Sequence, residues 1–495
     1  MQDPYEVPYC DTHGRFFDES GNTADRPNML ASTTSRPNET AVFSVLQFGA
    51  IIPPLSPWQG VQRFLPGYQY HGIELVGPVK LERPTHVATL DPEQQSDEIQ
   101  RLLDRILRRL IGNRQDPVLL FSGGIDSGLI ASRLAALGYR DSLLLNYSFR
   151  EEDPESRHAE AMAKHLGLRF ERILAKRNLC DCLIEPGCVY PQPIGDPSTV
   201  PTWDLAHSAV NRLAGEHRLI LDGLGPDQAF GRTNRIDLFS RVIRVPQLLS
   251  QAASFLYSSI FWHRHGRLEH LFRVLRRSNL SLVSAVLAQN PLAGTLYRNA
   301  SKRPVDSLLS DWVGGWVGDS PKERIVAADL ALYCSNAIVQ KGQPIFELAG
   351  HEVAHPFLET EMVSLAIASI PHWQMDEPKA PLKRCLARYV PRDMVYRPKS
   401  GFVDYRGTGF FDKEFIAYLR AAADDTSPIA FVLNKKPLLK ACDWLSRRIR
   451  LPFQTLNCLW AITFVDRWYR SAREDVCRAS THTDKFCTEG VGGPT

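Results

Sequence analysis

The sequence has no long apolar run and no excess of charge of either sign. No segment approaches the ~20 apolar residues that cross a bilayer, and residues 1–6 carry neither the basic nor the apolar stretch of a secretory signal. The 58 basic and 55 acidic side chains leave a net charge of +3, which gives no general case for binding nucleic acid. These absences argue against membrane and nucleic-acid partners and favour a cytoplasmic location.

Cysteine is also sparse and poorly spaced for metal binding. The chain has 10 cysteines, and only Cys180, Cys182 and Cys188 lie close together in sequence. Their C-x-C-x5-C spacing lacks the paired C-x2-C units of a zinc site, so reduced, mostly buried thiols are expected. A chain of 495 residues with 44% hydrophobic content can bury a large core in two or more structural units.

The most informative stretch is an apolar run, 118–121, followed by the turn Ser-Gly-Gly-Ile-Asp-Ser at 122–127 and a helical pattern from Leu129. This order predicts a buried strand, a tight loop and a helix whose N-terminus meets the loop. Free N–H groups and the helix dipole favour an anion there, and glycines allow its close approach. Ser122 and Ser127 add hydroxyl donors. The loop therefore predicts a phosphate site.

Asp126 would repel a bare phosphate in this loop. A Mg²⁺ ion that the carboxylate and the phosphates both coordinate removes the conflict. A second glycine-rich turn with a carboxylate, 222–231, follows another predicted strand. Because a parallel sheet brings such loops to one edge, Asp126 and Asp227 are predicted to share one Mg²⁺ ion.

Strands alternate with helices through the middle of the chain. The periodicity predicts helices near 97–112, 129–137, 154–166 and 202–214, and strands near 118–121, 142–147, 168–174 and 218–222. This alternation predicts an α/β fold with a doubly wound parallel sheet, whose ligands bind at the carboxyl ends of the strands. Beyond residue 232 the pattern is largely helical. The arginine-rich part, 232–303, is either a solvated face over an aromatic core or an RNA-binding surface.

Four segments follow from the composition. Residues 1–40, rich in Pro, Asn, Asp, Thr and Ser, are expected to be an irregular lead-in. Residues 41–90 contain short apolar runs, among them 43–48, between Pro and Gly, which indicates strands and turns. Residues 91–470 form the main unit, and the polar segment 471–495 is expected to be a flexible tail.

The loop at 122–127 lacks the lysine of the GxxxxGK[ST] pattern and resembles the PP-loop of ATP pyrophosphatases, which break ATP between its α and β phosphates. With both glycine-rich loops, the chain resembles the asparagine synthase family, whose relatives include β-lactam synthetases and lasso-peptide macrolactam cyclases. The similarity runs from about residue 40 to about residue 469. The blocks that carry it are 122–127, 195–201, 223–231, 355–359 (His-Pro-Phe-Leu-Glu) and 397–402 (Arg-Pro-Lys-Ser-Gly-Phe).

The resemblance implies ATP-dependent amide formation with Mg²⁺: a carboxylate attacks the α phosphate, pyrophosphate leaves, and an amine attacks the acyl-adenylate. The residues implied at the adenosine are Phe121, Tyr147, Asp222 and Gly223. Those implied at the pyrophosphate are Ser122, Gly123, Gly124, Asp126 and Ser127. Lys399 is implied as the catalytic residue, and a fixed ammonium would indeed offset charge that develops on oxygen. Lys379 and Lys383, in a segment similar to the family's Lys-x-x-Leu-Arg helix, are expected to be structural or to lie near phosphate.

The resemblance fails where glutamine would be hydrolysed. Family members that use glutamine begin, after Met, with a nucleophilic cysteine in a domain of roughly two hundred residues, whereas Gln2 follows Met1 here. Residues 41–90 resemble only the last part of that domain, as a truncated glutaminase-like β segment. Cys10 is internal and has no free α-amine beside it to act as base. Glutamine hydrolysis is therefore not expected.

Two further departures concern the acceptor. Leu224 stands where asparagine synthases carry glutamate and β-lactam synthetases carry tyrosine, and Ala354 stands where the family usually has arginine. A leucine can neither accept a proton nor bind an amine. Activation of the carboxylate is therefore expected to be preserved, and the acceptor half of the site to be altered.

Four functions remain open. The first is an amide synthetase for natural-product or peptide tailoring, which joins a small-molecule or peptide carboxylate to an amine, as in macrolactam or lactam formation; a precursor peptide is one candidate partner. The second is an asparagine synthase that uses ammonia or a separate glutaminase. The third is a non-catalytic nucleotide-binding protein, and the fourth is an RNA-modifying PP-loop enzyme.

Overall fold

The computed structural model describes residues 4–175, 180–231, 233–263, 267–275, 277, 280–289, 295–297, 302–317, 320–373, 376–397 and 409–488. Lys399, with the rest of 398–402, lies outside these residues. Within the described part of the chain, no helix combines the length and the apolar character needed to cross a membrane.

Two small antiparallel sheets precede residue 90. Their strands are β1 (Tyr5–Glu6), β2 (Phe16–Asp18), β3 (Thr23–Ala24), β4 (Val61–Arg63), β5 (Tyr68–His71) and β6 (Glu74–Pro78). The strand orders are β1–β5–β6 and β3–β2–β4. The predicted N-terminal β segment is therefore present, and the first three strands lie inside the proposed lead-in 1–40.

The apolar run at 43–48 is helical, and the prediction of strands and turns was wrong there. Helix α1 (Glu39–Phe48) begins where the Asn38 side chain accepts a hydrogen bond from the Ala41 N–H, and it ends at Gly49, whose φ is 83°. Both features are common helix caps. Because seven of its ten residues are buried, apolar side chains lie on nearly every face, and the period that distinguishes a helix from a strand is hidden.

A five-stranded parallel sheet forms the centre of the main unit. Its strands are β7 (Val118–Leu120), β8 (Leu143–Ser148), β9 (Arg169–Leu174), β10 (Leu219–Leu221) and β11 (Glu352–Ala354). Their order is β11–β10–β7–β8–β9, and all neighbours are parallel. The chain crosses from β7 to β8 on one side and returns to β10 on the other, so the carboxyl ends of β7 and β10 border the crevice where ligands bind in such folds. The predicted fold class is confirmed.

Helices surround this sheet and make up most of the chain beyond residue 232. The helices are α2 (Pro92–Ile111), α3 (Ile125–Ala136), α4 (Pro154–Leu166), α5 (Pro186–Val189), α6 (Thr199–Arg212), α7 (Pro226–Ala229), α8 (Thr233–Val242), α9 (Gln247–Leu256), α10 (Arg267–Leu275), α11 (Leu282–Leu287), α12 (Lys302–Val317), α13 (Pro321–Ala328), α14 (Gln343–Leu348), α15 (Thr360–Ser369), α16 (Ala380–Leu386), α17 (Arg392–Val395), α18 (Lys413–Ala422), α19 (Lys435–Ser446) and α20 (Phe453–Thr488). A π-helical stretch, Asp329–Ile338, continues α13. The predicted helices correspond to α2, α3, α4 and α6.

The N-terminal segment packs into the same core as the last helix. The Trp58 ring centroid lies 5.2 Å from that of Tyr469 on α20, and the Tyr469 hydroxyl donates to the Pro57 carbonyl at 2.7 Å. Arg63 is fully buried and lies 2.9 Å from Asp11. Helix α20 also runs across the proposed boundary at residue 471.

Candidate functional site

The loop after β7 forms a compact cradle at the N-terminus of α3. The Gly124 N–H donates to Ser122 Oγ at 3.2 Å, and that oxygen lies 3.2 Å from Ser127 Oγ. Gly123 has a φ of 67°, and a Cβ there would lie 2.7 Å from the Ala159 Cα on α4. Only glycine fits this gap, so the loop is pressed against α4. This is the geometry of an anion site at a helix N-terminus.

The second glycine-rich loop lies directly against the first. A Cβ on Gly223 would lie 2.8 Å from the Ser127 nitrogen. Gly225 has a φ of 113°, and a Cβ there would lie 2.9 Å from Leu358 Cδ2. The two loops and the turn Pro356–Leu358 are therefore packed one upon the next, with no room for a side chain between them. Three of the sequence blocks meet at one edge of the sheet.

Lys379 joins the two loops through their carboxylates. Its ammonium nitrogen lies 2.6 Å from Asp126 Oδ2 and 2.8 Å from Asp227 Oδ1. Burial opposes the charged form, but the two carboxylates outweigh burial and raise the pKa of Lys379. The residue has a φ of 62°, a conformation that costs a non-glycine residue roughly 1 to 3 kcal/mol and is typical of functional sites. Lys379, for which the sequence left a structural role open, thus belongs to the site.

Asp126 and Asp227 fit a Mg²⁺ ion by the chemistry of their donors. Both are carboxylates on glycine-rich loops, and both reach the single point where the Lys379 ammonium lies. Asp126 is largely buried, while the Asp227 side chain is 67% exposed. No cluster of three or more His, Cys, Asp or Glu forms a metal site among the described residues. Phosphate oxygens or water would therefore complete the coordination, and the shared ion stays a prediction.

The residues predicted at the adenosine lie at the same edge of the sheet. The Phe121 side chain is buried, and its carbonyl accepts a hydrogen bond of 2.8 Å from the Asn146 side chain. The half-buried Tyr147 donates its hydroxyl to Asp204 on α6 at 2.8 Å. Burial and the Asp204 carboxylate raise the pKa of Tyr147, so the hydroxyl stays protonated as a donor. The contacts of both residues with adenosine stay a prediction.

Asp222 is paired with His355, a residue of the block 355–359 to which the sequence assigned no role of its own. His355 Nδ1 lies 2.9 and 3.0 Å from the two Asp222 oxygens, and its Nε2 lies 2.8 Å from Gln343 Oε1. Asp222 Oδ1 also accepts the Leu224 N–H at 3.1 Å. All three polar side chains are buried. Asp222 and His355 directly follow the neighbouring strands β10 and β11, a placement that only the sheet order reveals.

A second buried ion pair supports the block at 195–201. Lys341, 1% exposed, lies 2.9 Å from Asp196 Oδ2 and donates to Ser198 Oγ at 2.6 Å. The Tyr333 hydroxyl donates to the same Asp196 oxygen at 2.6 Å. Burial acts to raise the pKa of Asp196, but the Lys341 charge and the hydrogen bonds lower it to about 2. Lys341 carried no signal in the sequence, because a lone lysine does not reveal a partner so distant along the chain.

Lys399 lies outside the described residues, so its predicted catalytic role stays a prediction. Arg397, at the start of the same block, forms hydrogen bonds of 3.0 and 2.6 Å to the Glu155 carboxylate on α4. Helix α4 is the helix against which Gly123 packs. Lys383, the other lysine noted near the phosphate site, pairs with Glu377.

A family model for asparagine synthase matches residues 98–468. The match covers well over half of the chain and includes both glycine-rich loops, Lys379 and the pairs made by Asp196 and Asp222. No curated protein matches the chain. The chain therefore belongs to the asparagine synthase family, a family of ATP-dependent amidotransferases and ligases.

Proposed function

We propose that this protein is an amide-bond-forming synthetase that adenylates a substrate carboxylate, releases pyrophosphate and transfers the acyl group to an amine. Its proposed setting is natural-product or peptide tailoring of the lactam or macrolactam type. The observation that carries the proposal is the convergence of Asp126 and Asp227 on the Lys379 ammonium at the mouth of the PP-loop. Two carboxylates beside an anion-binding loop would repel the anion unless cations lie between them.

The PP-loop residues would bind the two phosphates that leave. The first turn of α3 would present backbone N–H groups to the phosphates, and Ser122 and Ser127 offer hydroxyls from the same cradle. A Mg²⁺ ion, when bound at Asp126 and Asp227, would neutralise charge on the departing pyrophosphate. The Lys379 ammonium bridges the same two carboxylates as a second cation, and its backbone conformation and its two partners hold it in place. Preorganised charge of this kind lowers the barrier where negative charge grows.

In the acceptor half of the site, the second loop offers no side chain at position 224 that could activate an amine. Leu224 is half-buried, and its N–H is bound to Asp222, so position 224 contributes an apolar surface. An amine held close to the carboxylate, as within one molecule, needs less help than free ammonia, because proximity alone supplies much of the rate. This argument favours the lactam type of reaction over asparagine synthesis.

Glutamine is not proposed as the nitrogen source. Cys10 is buried, and burial raises the pKa of its thiol to about 12, against the opposing effect of a hydrogen bond with Ser335. A protonated, buried thiol is a poor nucleophile at neutral pH. The amine would therefore come from the substrate itself or from solution.

The test is a screen for pyrophosphate release by the purified chain with ATP, Mg²⁺ and a panel of carboxylates that includes aspartate, amino-acid-derived diacids and short peptides. We expect release that depends on one class of carboxylate and an amide product that contains it. The matched control is Asp227→Asn, which keeps the loop and removes one carboxylate. Asparagine formed from aspartate and ammonia would replace the proposal with the second function, and ATP binding with no release for any carboxylate would replace it with the third.

A further inference from the structure

We infer that His355 is a positioning residue, held by hydrogen bonds at both ring nitrogens between Asp222 and Gln343, and that it sets the shape of the second glycine-rich loop for nucleotide binding. The inference rests on the proposed function only in assigning Asp222 and its loop to the nucleotide pocket. Its structural part, the pair of hydrogen bonds made by the imidazole ring, is independent of any reaction.

Hydrogen bonds link His355 to Gln343 and Gln343 to Glu347, and their direction follows from the Glu347 end. The Gln343 amide nitrogen lies 2.7 Å from Glu347 Oε1, and an ionised carboxylate can only accept. The amide nitrogen of Gln343 must therefore face Glu347, which leaves its oxygen facing His355. Glu347 also lies 3.1 Å from His13 Nε2, and this hydrogen bond, against a smaller effect of burial, raises the pKa of His13. The Glu347 carboxylate is therefore held between Gln343 and His13.

The same logic then fixes the orientation of the His355 ring. The Gln343 oxygen, 2.8 Å away, has no hydrogen to give, so the Nε2 atom must donate. The Nδ1 atom lies 2.9 Å from the Asp222 carboxyl group on the other side, and a second hydrogen bond joins the two. Each ring nitrogen of the buried His355 therefore has one partner.

The pair of Asp222 and His355 holds the second glycine-rich loop in place. Asp222 Oδ1 accepts both from His355 and from the Leu224 N–H, so a shift of the Asp222 carboxylate would release the backbone two residues further along. Gly223, between them, lies against the Ser127 nitrogen of the PP-loop. A displacement of the second loop is therefore passed to the phosphate cradle.

The chain of hydrogen bonds holds a proton and does not conduct one. An amide cannot readily take up and release a proton, so Gln343 closes the path between His355 and the exposed end at Glu347. The other charged groups nearby are Glu359, whose carboxylate is influenced by His355 and Arg109, and His13 beyond Glu347. Among the described residues, Asp222 is the one carboxyl group that hydrogen-bonds to His355.

The first experiment observes the imidazole directly in the full chain labelled with ¹⁵N-histidine. The His355 signals are identified as those lost in His355→Phe, and we expect the Nε2 atom to resonate as a nitrogen that carries hydrogen. In Gln343→Leu the Nε2 atom loses its acceptor, and its signal should move while the Nδ1 signal stays in place. A His355 Nε2 atom without hydrogen in the wild type would overturn the inference, whatever the enzyme makes.

The second experiment measures ATP binding by calorimetry. His355→Phe removes both hydrogen bonds, and we expect the dissociation constant for ATP to rise about tenfold or more. His355→Asn keeps a neutral donor toward Asp222 and should recover part of the loss, and it also serves where the phenylalanine variant fails to fold. The matched control is His351→Phe, a change at another buried histidine just before β11, which should leave ATP binding unchanged. Equal losses in His355→Phe and His351→Phe would contradict a positioning role, while failure of all carboxylates to release pyrophosphate would bear only on the proposed function.

Discussion

The buried pair of Lys341 and Asp196 makes the sharpest prediction for stability. Replacing Lys341 with methionine keeps the length of the side chain and removes the cation that lies 2.9 Å from Asp196. The Asp196 carboxylate then stays in a largely buried position with only hydroxyl and N–H donors. We expect Lys341→Met to lower the free energy of unfolding by about 3 to 5 kcal/mol at pH 7, the usual cost of breaking a buried ion pair.

The pKa of Asp196 gives an independent scale for this loss. A lowering from 3.8 to about 2 corresponds to roughly 2 to 3 kcal/mol in favour of the ionised form, at about 1.4 kcal/mol per tenfold change. In the wild type this stabilisation is fully present above about pH 4 and is lost as the pH falls through about 2. In Lys341→Met, burial acts without the cation and raises the pKa of Asp196, so the penalty is relieved as the pH falls. The difference between the two proteins should therefore be smaller at pH 5 than at pH 7.

The measurement is urea unfolding of both proteins at pH 7 and pH 5. Lys435→Met is the matched control, because Lys435 forms an exposed pair with Asp425 at 2.7 Å and exposed pairs contribute little; it should unfold like the wild type. The double variant Lys341→Met with Asp196→Asn should recover part of the loss, since no charge remains buried. A loss in Lys341→Met that matches the control, or that is the same at both pH values, would refute the reasoning.

Three further predictions concern the site. Asp126→Asn should abolish pyrophosphate release while the chain stays folded, because the carboxylate faces a polyphosphate only around a cation; circular dichroism checks the fold, and wild-type turnover in chelator would argue against the metal. Glutamine should yield no glutamate with the purified chain, and a glutamine-hydrolysing rate that Cys10→Ala removes would show that a nucleophile was overlooked. Lys399→Met should slow product formation by on the order of a hundredfold or more while ATP still binds, whereas Leu224→Ala should change acceptor affinity or selectivity and leave ATP–pyrophosphate exchange near normal. If Leu224→Ala lost exchange as completely as Lys399→Met, the acceptor pocket would have been misplaced.

The central sheet was predictable from sequence because its strands and helices have clear periods. The helix at 154–166 was located to the residue, and the strand at 168–174 differs by one. The prediction for the run at 43–48 failed for the opposite reason, since α1 is buried on most faces. Patterns of this kind identify an element only where one face meets water.

The PP-loop was predictable as a unit, because strand, loop and helix lie within a short stretch of chain. The pair of Asp222 and His355 was not, because its residues are 133 positions apart and β11, which brings them together, has only three residues. Lys379 was noted, but its place between two carboxylates depends on a left-handed backbone conformation. The residue type does not predict that conformation. Such contacts follow from the order of strands, which local sequence does not encode.

The central claim is that the substrate carboxylate attacks the α phosphate of ATP. The most direct measurement uses the carboxylate found by the screen, labelled with ¹⁸O in both oxygens, and mass spectrometry of the nucleotide product. Attack at the α phosphate transfers one labelled oxygen to AMP when the amide forms, and the account predicts AMP with a single ¹⁸O in an amount equal to the amide. Amide product accompanied by unlabelled AMP, or by ADP and labelled inorganic phosphate, would contradict it.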